Sequence, residues 1–149
     1  MAKPVTSQFQ HLVVEVETET PGTYAKICGI TSRGVNRQHN MNTTEVPQDC
    51  DDESLPVVLE RDIQSSEVTI SGSGVWASQS HEMMLDWWYS GAKKKVRINH
   101  VNSVIGDTQY ETGDAFLVSI SNQAEKGQKV TAELEIQFDG MPVRTAKAA

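Results

Sequence analysis

A chain of 149 residues with a formal net charge of −7 is long enough for one domain around a continuous core. Its charge disfavours a protein that grips DNA, because the 13 lysines and arginines are outnumbered by 20 aspartates and glutamates. No apolar run opens the chain or reaches the length of a membrane span. We therefore expect neither a signal peptide nor membrane insertion, and synthesis in the cytoplasm.

The dominant hydrophobic period is two residues, which predicts a mostly-β fold. The best alternation of apolar and polar side chains occurs over residues 12–17, 24–30, 95–100, 115–121 and 129–138. Residues 67–76 alternate too, but Gly72 and Gly74 interrupt the apolar stripe, which indicates a bulge or the close approach of another backbone. Glycine-containing turn signals at residues 106–107, 112–114 and 125–127 mark the expected connections.

Residues 78–90 have helical rather than strand periodicity. Met84, Trp87 and Trp88 fall on one stripe, which we expect to pack on the sheet rather than to form a sugar-binding platform. Ser78 fits an N-cap, and Gly91 stands where a left-handed glycine commonly ends a helix. The sequence thus predicts one helix beside the sheet.

Two segments show no period at all. Residues 31–56 are polar, contain two prolines and end in an acidic run, and a loop of that length is uncommon in a compact domain unless it is functional or disordered. Residues 141–149 predict a flexible C-terminal tail. No repeat or shift in composition divides the chain, so we expect a single domain spanning residues 1–149.

No constellation of residues points to catalysis. His81 and Glu82 begin like the helix of a zinc protease, but Leu85 stands where the second histidine belongs. Phosphate-binding loops and the nucleophile elbow have no counterpart in this sequence. We therefore expect no enzyme activity, no metal and no cofactor.

Two features leave alternatives open. Cys28 and Cys50 match no metal or redox motif, and they predict reduced thiols or, after release from the cell, a disulfide within or between subunits. One basic cluster could be a solvated strand edge, could contact an acidic neighbouring subunit, or could contact nucleic acid. Its members are Lys93, Lys94, Lys95 and Arg97.

Several pieces of the chain, in their order, resemble the major tail tube proteins of siphophages, which are long-tailed bacteriophages. The pieces are residues 28–36 (CGITSRGVN), 45–52 (EVPQDCDD) and 69–75 (TISGSGV). A short helix with Trp87, then Gly91, a basic strand around Arg97 and a closing strand at residues 126–132 follow in the same order. The resemblance covers residues 12–140.

The resemblance implies a two-sheet antiparallel β-sandwich or small barrel with one flanking α-helix. It also implies a structural virion protein whose subunits form hexameric rings, in which one sheet of each subunit joins its neighbours around a channel. Rings would stack into a hollow tail tube that delivers phage DNA to the host without binding it specifically. The implied partners are other copies of the chain, a tape measure protein, the tail tip or hub and the tail terminator.

A tube subunit of a contractile tail or of a secretion machine is the nearest alternative, because such tubes share this fold. A carbohydrate-binding β-sandwich module is a more distant one. It would bind its ligand as a monomer and would lose binding when Trp88 is replaced.

Within the implied tube, residues 31–56 would form a loop that contacts other subunits between rings. Because the loop is long and charged, we expect its polar residues to make these contacts. The candidates are Arg33, Asn36, Arg37, His39, Glu45, Asp49, Asp51 and Asp52. Glu133 and Glu135 alternate with the core-facing stripe of the last long strand, which makes them candidates for the channel wall. Acidic side chains there would suit a wall along which DNA slides without sticking.

Overall fold

A computed structural model describes residues 2–148 of the chain. Its eight strands and one α-helix within that range confirm the predicted mostly-β fold with a single helix. The elements are β1 (Leu12–Glu17), β2 (Tyr24–Lys26), β3 (Ile30–Val46), β4 (Val58–Val75), α1 (Ser78–Ser90), β5 (Lys94–His100), β6 (Thr108–Gln123), β7 (Thr131–Phe138) and β8 (Val143–Ala146). One turn of 3-10 helix, Phe9–His11, precedes β1.

All eight strands belong to one antiparallel sheet in the order β2-β1-β5-β6-β7-β4-β3, and β8 pairs with the first part of β6. The sheet curls around a shared core, to which strands from both ends of the order contribute. That core includes Val14, Val16, Val68, Ile70, Val96, Ile98, Leu117, Leu134 and Ile136. The two layers of the expected sandwich are therefore halves of one curled sheet, which is not a closed barrel.

Two arginines on β3 bridge the ends of the curl. Arg33 Nη2 donates a hydrogen bond of 2.9 Å to the Phe9 carbonyl, and its guanidinium carbon lies 3.9 Å from the centre of the Phe9 ring. Arg37 donates to both carboxylate oxygens of Glu111 on β6, with 3.1 Å from Nε to Oε1. His100 Nε2 lies 2.9 Å from Oε2 of the same carboxylate. Side chains of β3, the last strand of the order, thus contact its first half, although the backbone of the sheet does not close.

The helix lies where the sequence predicts it. Met84 and Trp87 are each only 1% exposed, and the indole Nε1 of Trp87 donates to the Ala92 carbonyl at 2.9 Å. Gly91 ends the helix in the left-handed conformation at φ 64°, whereas Ala77 rather than Ser78 is the N-cap. Trp88 is packed less completely than predicted, since it remains 44% exposed although its indole Nε1 reaches the Val118 carbonyl of β6 at 3.4 Å.

The largest departure from the sequence analysis concerns residues 31–56. Instead of an irregular loop, residues up to Val46 form β3, which pairs with β4 from Ile30 opposite Gly74 to Val46 opposite Val58. Only residues 47–57 connect the two strands. The sequence shows no alternation of apolar and polar residues here, because no side chain of residues 38–66 is buried and neither face of the strands required apolar residues.

Two smaller expectations also need correction. The C-terminal segment is not featureless, because Val143–Ala146 pairs with Thr108–Thr112 of β6 as β8. Residues 112–114, expected to form a connection, lie inside β6 and pair with residues 95–97 of β5. Glycine at position 113 therefore did not mark a turn.

The small residues of β4 predicted that another backbone approaches this strand closely, and it does so at Gly74. A Cβ atom at this position would lie 2.1 Å from the Gly29 carbonyl oxygen and 2.8 Å from the Thr31 nitrogen. At Gly72, two residues earlier, the nearest atoms are side-chain carbons of Ile30 and Leu134 at 3.5 Å. The backbone between β2 and β3 is thus packed directly against one of these glycines and not against the other.

We expect Gly74→Ala to lower the free energy of unfolding by about 2 kcal/mol or more, because backbone atoms cannot move away from the added methyl group at low cost. Gly72→Ala is the matched control and should be neutral or slightly stabilising, since alanine restricts the unfolded chain more than glycine does. Urea unfolding of the unassembled subunit measures both. Equal effects of the two substitutions would contradict this account of Gly74.

A second expectation concerns the Glu111 carboxylate. Burial, the largest influence, raises the pKa of Glu111, but the hydrogen bonds and charges of Arg37 and His100 together outweigh it and hold the pKa below its usual value. A carboxylate whose pKa is depressed by folding stabilises the fold above its unfolded-state pKa, and this contribution is lost as the pH falls through the folded-state value.

The stability of the unassembled subunit should therefore fall as the pH drops below about 4.3, the ordinary pKa of glutamate. Glu111→Gln should cost about 1–3 kcal/mol at pH 7, because Arg37 loses its charged partner, and it should flatten the acid-side loss. Urea unfolding over a pH series gives both values. Glu82→Gln, which changes an exposed acid, is the control, and an unaltered pH dependence in Glu111→Gln would count against the expectation.

Candidate functional site: a projecting hairpin, open strand edges and a polar face

The outer part of the β3–β4 pair projects from the core, and we call residues 38–66 the distal hairpin. Its tip is built from short polar turns: Asp49 Oδ1 accepts from the Asp51 nitrogen at 2.9 Å, and Asp52 Oδ1 accepts from the Ser54 nitrogen at 3.0 Å. The hydrogen bonds from Ser54 hold the pKa of Asp52 below its usual value. The tip is therefore a charged surface with defined turns rather than an irregular loop.

One face of the distal hairpin carries apolar side chains that no other part of the subunit covers. Met41 and Ile63 are cross-strand partners with 47% and 57% of their surface exposed. Leu59, opposite Glu45 on the same face, is 50% exposed. Thr43 and Arg61 lie between these positions on the same face, so the exposed apolar side chains alternate with polar ones. Exposed apolar side chains grouped in one area are typical of a surface that another chain covers.

A central part of the sheet has an open strand edge on each side. Within residues 2–148, β3 pairs with β4 alone, and residues 116–123 of β6 pair only with β7. These edges bound a four-strand ribbon, β6-β7-β4-β3, whose members are consecutive in the sheet. An open edge presents unpaired N–H and C=O groups that another strand can pair with. On the β6 edge, the Val118 carbonyl accepts a hydrogen bond of 3.4 Å from Trp88 Nε1.

The ribbon face opposite the core is made of small polar and acidic side chains. Register places in one row Gly34, Ser71, Glu135 and Ser119. The next row contains Ser32, Ser73, Glu133 and Ser121. No lysine or arginine lies in either row, so the carboxylates of this face have no cation beside them within the ribbon.

The basic cluster of the sequence does not form a basic patch. Lys93 Nζ lies 3.0 Å from Asp139 Oδ2, a hydrogen bond that raises the pKa of Lys93. Lys95 stands opposite Asp114 in the β5–β6 register. The fourth member, Arg97, donates to Glu15 at 3.1 Å, and its guanidinium lies 4.2 Å and 4.3 Å from the rings of Tyr24 and Tyr110. Acidic neighbours of the same subunit offset most of its charge.

The structure separates the eight candidate contact residues into groups. Arg33 and Arg37 make the contacts within the subunit described above, and the Arg37 side chain nevertheless remains 48% exposed. Asn36 lies on the polar face of the ribbon opposite Thr69, and His39 Nδ1 is 2.6 Å from Ser66 Oγ. The remaining four, Glu45, Asp49, Asp51 and Asp52, are exposed on the distal hairpin.

Sequence reasoning missed Met41 and Ile63, which stand singly between polar residues, and Leu59, which follows two valines. Together they formed no recognisable stripe. Glu133 and Glu135 lie on the polar face as their alternation with the core residues required. Cys28 and Cys50 are both exposed free thiols. Residues 2–148 contain no cluster of three or more potential metal ligands and no helix long and apolar enough to cross a membrane.

Known structures show the same fold. The tail of an empty GTA particle, refined with C6 symmetry, matches with a TM-score of 0.73 at 18% identity, covering 95% of this chain and 100% of that one. The SPP1 tail tube matches with a TM-score of 0.64 at 11% identity, covering 95% and 80%. The sheath–tube complex of the PVC extracellular contractile injection system matches with 0.60 at 15%, covering 93% and 90%.

Residues 6–144 match the family described as phage tail tube protein, while no curated protein matches the sequence. The family match extends from before β1 into β8 and therefore includes the ribbon, the distal hairpin and the helix. The chain belongs to the phage tail tube protein family and is a tail tube subunit.

Proposed function

We propose that six copies of this chain close into a ring and that rings stack into a hollow tube, through which phage DNA passes to the host. The observation that carries the proposal is the pair of open edges on the four-strand ribbon. An edge on each side lets every copy accept one neighbour and donate to the next, which is the requirement for a closed ring of identical subunits. The C6 symmetry of the structurally similar GTA tail supports six as the number.

Ring closure would join the β3 edge of one copy to residues 116–123 of β6 in its neighbour. The ribbons would then form one continuous barrel, and the edges that invite aggregation would disappear. The polar face of the ribbon, with Glu133 and Glu135, would line the bore. DNA is a polyanion, so a wall of carboxylates and hydroxyls without cations gives it nothing to bind.

The distal hairpin would contact the adjacent ring. It extends away from the core, its sides are exposed, and its tip carries the candidate residues Glu45, Asp49, Asp51 and Asp52. Contacts between stacked rings join different surfaces of the two partners, and such contacts continue into a filament. A tape measure protein in the bore during assembly, a tail tip or hub below and a terminator above complete the proposed set of partners.

The proposed location is the virion tail, after synthesis in the host cytoplasm. The role is structural, without catalysis, because the family is one of tail tube proteins and the site consists of edges and faces rather than a reactive cleft. A contractile system is the second candidate, favoured by the fold shared with the tube of the PVC injection system. A sheath protein bound around the assembled tube would identify that case.

The first test is negative-stain electron microscopy of the purified chain with tail-tip complex, beside a chain with a shortened hairpin. Replacing residues 44–60 by Asn-Gly joins Thr43 and Arg61, which are cross-strand partners, through a two-residue turn. We expect wild-type tubes of uniform diameter and none from the shortened chain. Its fold should persist, because the removed residues are not buried.

Circular dichroism and thermal unfolding of the shortened chain provide the control for folding. Tubes of normal length from a folded, shortened chain would remove the hairpin from the inter-ring contact. A wild-type chain that stays monomeric at all concentrations, with and without tail-tip complex, would refute the proposed assembly as a whole.

The bore wall gives a separate prediction. Glu133→Lys combined with Glu135→Lys should leave tubes intact and slow DNA ejection from assembled particles, since cations on the wall bind phosphates. Glu133→Gln with Glu135→Gln should have a smaller effect in the same direction. Ejection is measured as the rise in fluorescence of a DNA-binding dye after the particles are triggered.

The matched control is Glu82→Lys combined with Asp86→Lys, which reverses the same number of charges on the exposed side of α1. Particles with this control should eject DNA at the wild-type rate. If the bore variant also ejects at that rate while its tubes contain the altered subunit, Glu133 and Glu135 do not face the DNA.

A further inference from the structure

One flank of α1 carries aromatic and apolar side chains that its own subunit leaves partly uncovered. His81, Leu85 and Trp88 follow one another at spacings of four and three residues, so they lie in one row along the helix. We call this row, together with Tyr89, the outer flank. Tyr89 is 77% exposed, and its ring meets the Trp88 ring edge to face with 5.2 Å between the ring centres. Exposed aromatic side chains grouped on one flank are typical of a surface that another chain covers.

Contacts within the subunit fix the outer flank in place. Trp76 Nε1 donates a hydrogen bond of 2.7 Å to His81 Nδ1, and the two rings also meet edge to face. At the other end of the flank, Trp88 Nε1 donates to the Val118 carbonyl of β6. An ordered surface loses little conformational freedom when it binds, which favours a partner of defined shape.

The outer flank borders the open edge of β6 on the side of the sheet away from the polar face. The buried stripe of α1, which includes Met84 and Trp87, packs on the core. The helix therefore lies on the core-facing side of the ribbon, and Trp88 reaches residue 118 within the open segment 116–123. A strand that pairs with this edge at Val118 would lie beside Trp88.

At the opposite edge of the ribbon, β3 carries a different surface on the same side of the sheet. Arg33 alternates with Gly34 of the polar face, so its side chain lies on the core-facing side. There it donates to the Phe9 carbonyl and stacks on the Phe9 ring, while Phe9 remains 48% exposed. This Phe9–Arg33 pair thus offers an accessible aromatic ring beside a cation.

The proposed ring would bring these two surfaces together. The ribbon strands alternate in direction, and rotation about the bore preserves direction, so the neighbour's β3 would run antiparallel to β6. Register places Arg33 of β3 in the same row as Ile120 of β6, two residues from Val118. The tilt of strands in a barrel would displace the neighbour along this edge, and the flank from His81 to Trp88 spans about 10 Å of helix, which accommodates such a displacement.

We propose that the outer flank of α1 docks on the Phe9–Arg33 pair of the neighbouring copy in the same ring, an inference that rests on the ring proposed above. Trp88 and Tyr89 would cover Phe9 and the accessible side of the Arg33 guanidinium. Tryptophan and tyrosine attract a guanidinium through the faces of their rings. Together with arginine, they are also the residues most enriched among those that dominate the binding energy of protein interfaces. This contact would lie outside the barrel that the paired strands form.

Such a contact would give the ring a selectivity that strand pairing alone lacks. Backbone groups on an open edge can pair with almost any extended chain, including the same edge of another copy. Of the two open edges, only that of β3 has the Phe9–Arg33 pair on its core-facing side. Docking of the outer flank therefore favours pairing of β6 with β3 over pairing of β6 with β6.

Cross-linking between two introduced cysteines tests the docking directly. Cys28→Ser and Cys50→Ser remove the two exposed thiols, and Tyr89→Cys with Gln10→Cys then place one thiol in the outer flank and one beside Phe9. A short thiol–thiol cross-linker should convert tubes of this chain into a ladder of covalent oligomers that ends at the hexamer, and should leave monomers unlinked. Tyr89→Cys alone and Gln10→Cys alone are the controls, since one thiol per chain allows at most dimers. Tubes that give no oligomer larger than a dimer, or a ladder that continues past the hexamer, would overturn the docking.

Substitution of the outer flank provides a second measurement. Trp88→Ala with Tyr89→Ala should slow the elongation of tubes on tail-tip complex about tenfold or more, because the contact loses both rings. Trp88→Phe is the matched control, because it removes the hydrogen bond to Val118 but keeps an aromatic ring, and it should elongate at close to the wild-type rate. Light scattering follows elongation, and thermal unfolding checks that both variants are folded. A folded double-alanine chain that elongates at the wild-type rate would contradict the docking.

The outcomes separate the docking from the proposed function. If wild-type tubes form and the cross-linked ladder is missing, the ring stands and only the role assigned to the outer flank is wrong. If neither rings nor tubes form under any condition, the ring fails, and the docking that rests on it fails as well.

Discussion

The backbone hydrogen bonds left unmade along β3 and along residues 116–123 of β6 are the constraint on which the rest of this structure depends. A long open edge is a hazard for a monomer, because any extended chain can pair with it. Pairing between neighbouring ribbons removes this hazard only if every subunit offers two open edges, one on each side, that fit each other. The small side chains of the ribbon fit this use, since they leave room for strands to pair and for a smooth wall.

The way in which the core is closed follows from the same constraint. A barrel closed by backbone hydrogen bonds would need β3 to pair within its own subunit, and the β3 edge would then not be available to a neighbour. Instead Arg33 reaches the Phe9 carbonyl and ring, and Arg37 reaches the buried carboxylate of Glu111. Side chains seal the gap while the backbone of β3 stays open. A buried carboxylate is costly unless it is paired, which explains why both Arg37 and His100 meet it.

The sequence predicted the elements that bury one face and failed on those that bury none. Strands β5 and β7 and the helix α1 were located because a core on one side imposes a period on the residues. The distal half of β3 has no buried side, so its strand conformation left no trace in the pattern. Charged residues on a strand carry no sign of which face they occupy, so the sequence did not reveal that Arg37 pairs with Glu111. Trp88 shares the apolar character of Trp87, and only the turn of the helix separates their environments.

The acidic excess of the chain has two different consequences in the folded subunit. At the hairpin tip, carboxylates gather beside apolar side chains, and there a cationic partner would offset their mutual repulsion. On the ribbon face, Glu133 and Glu135 stand among serines, and in the proposed bore a cation beside them would attract DNA to the wall. The cations are placed accordingly: Lys93 and Arg97 are paired with acids of their own subunit, and none enters the ribbon rows. Position within the sheet, and not net charge alone, thus decides whether an acid attracts a partner or keeps one away.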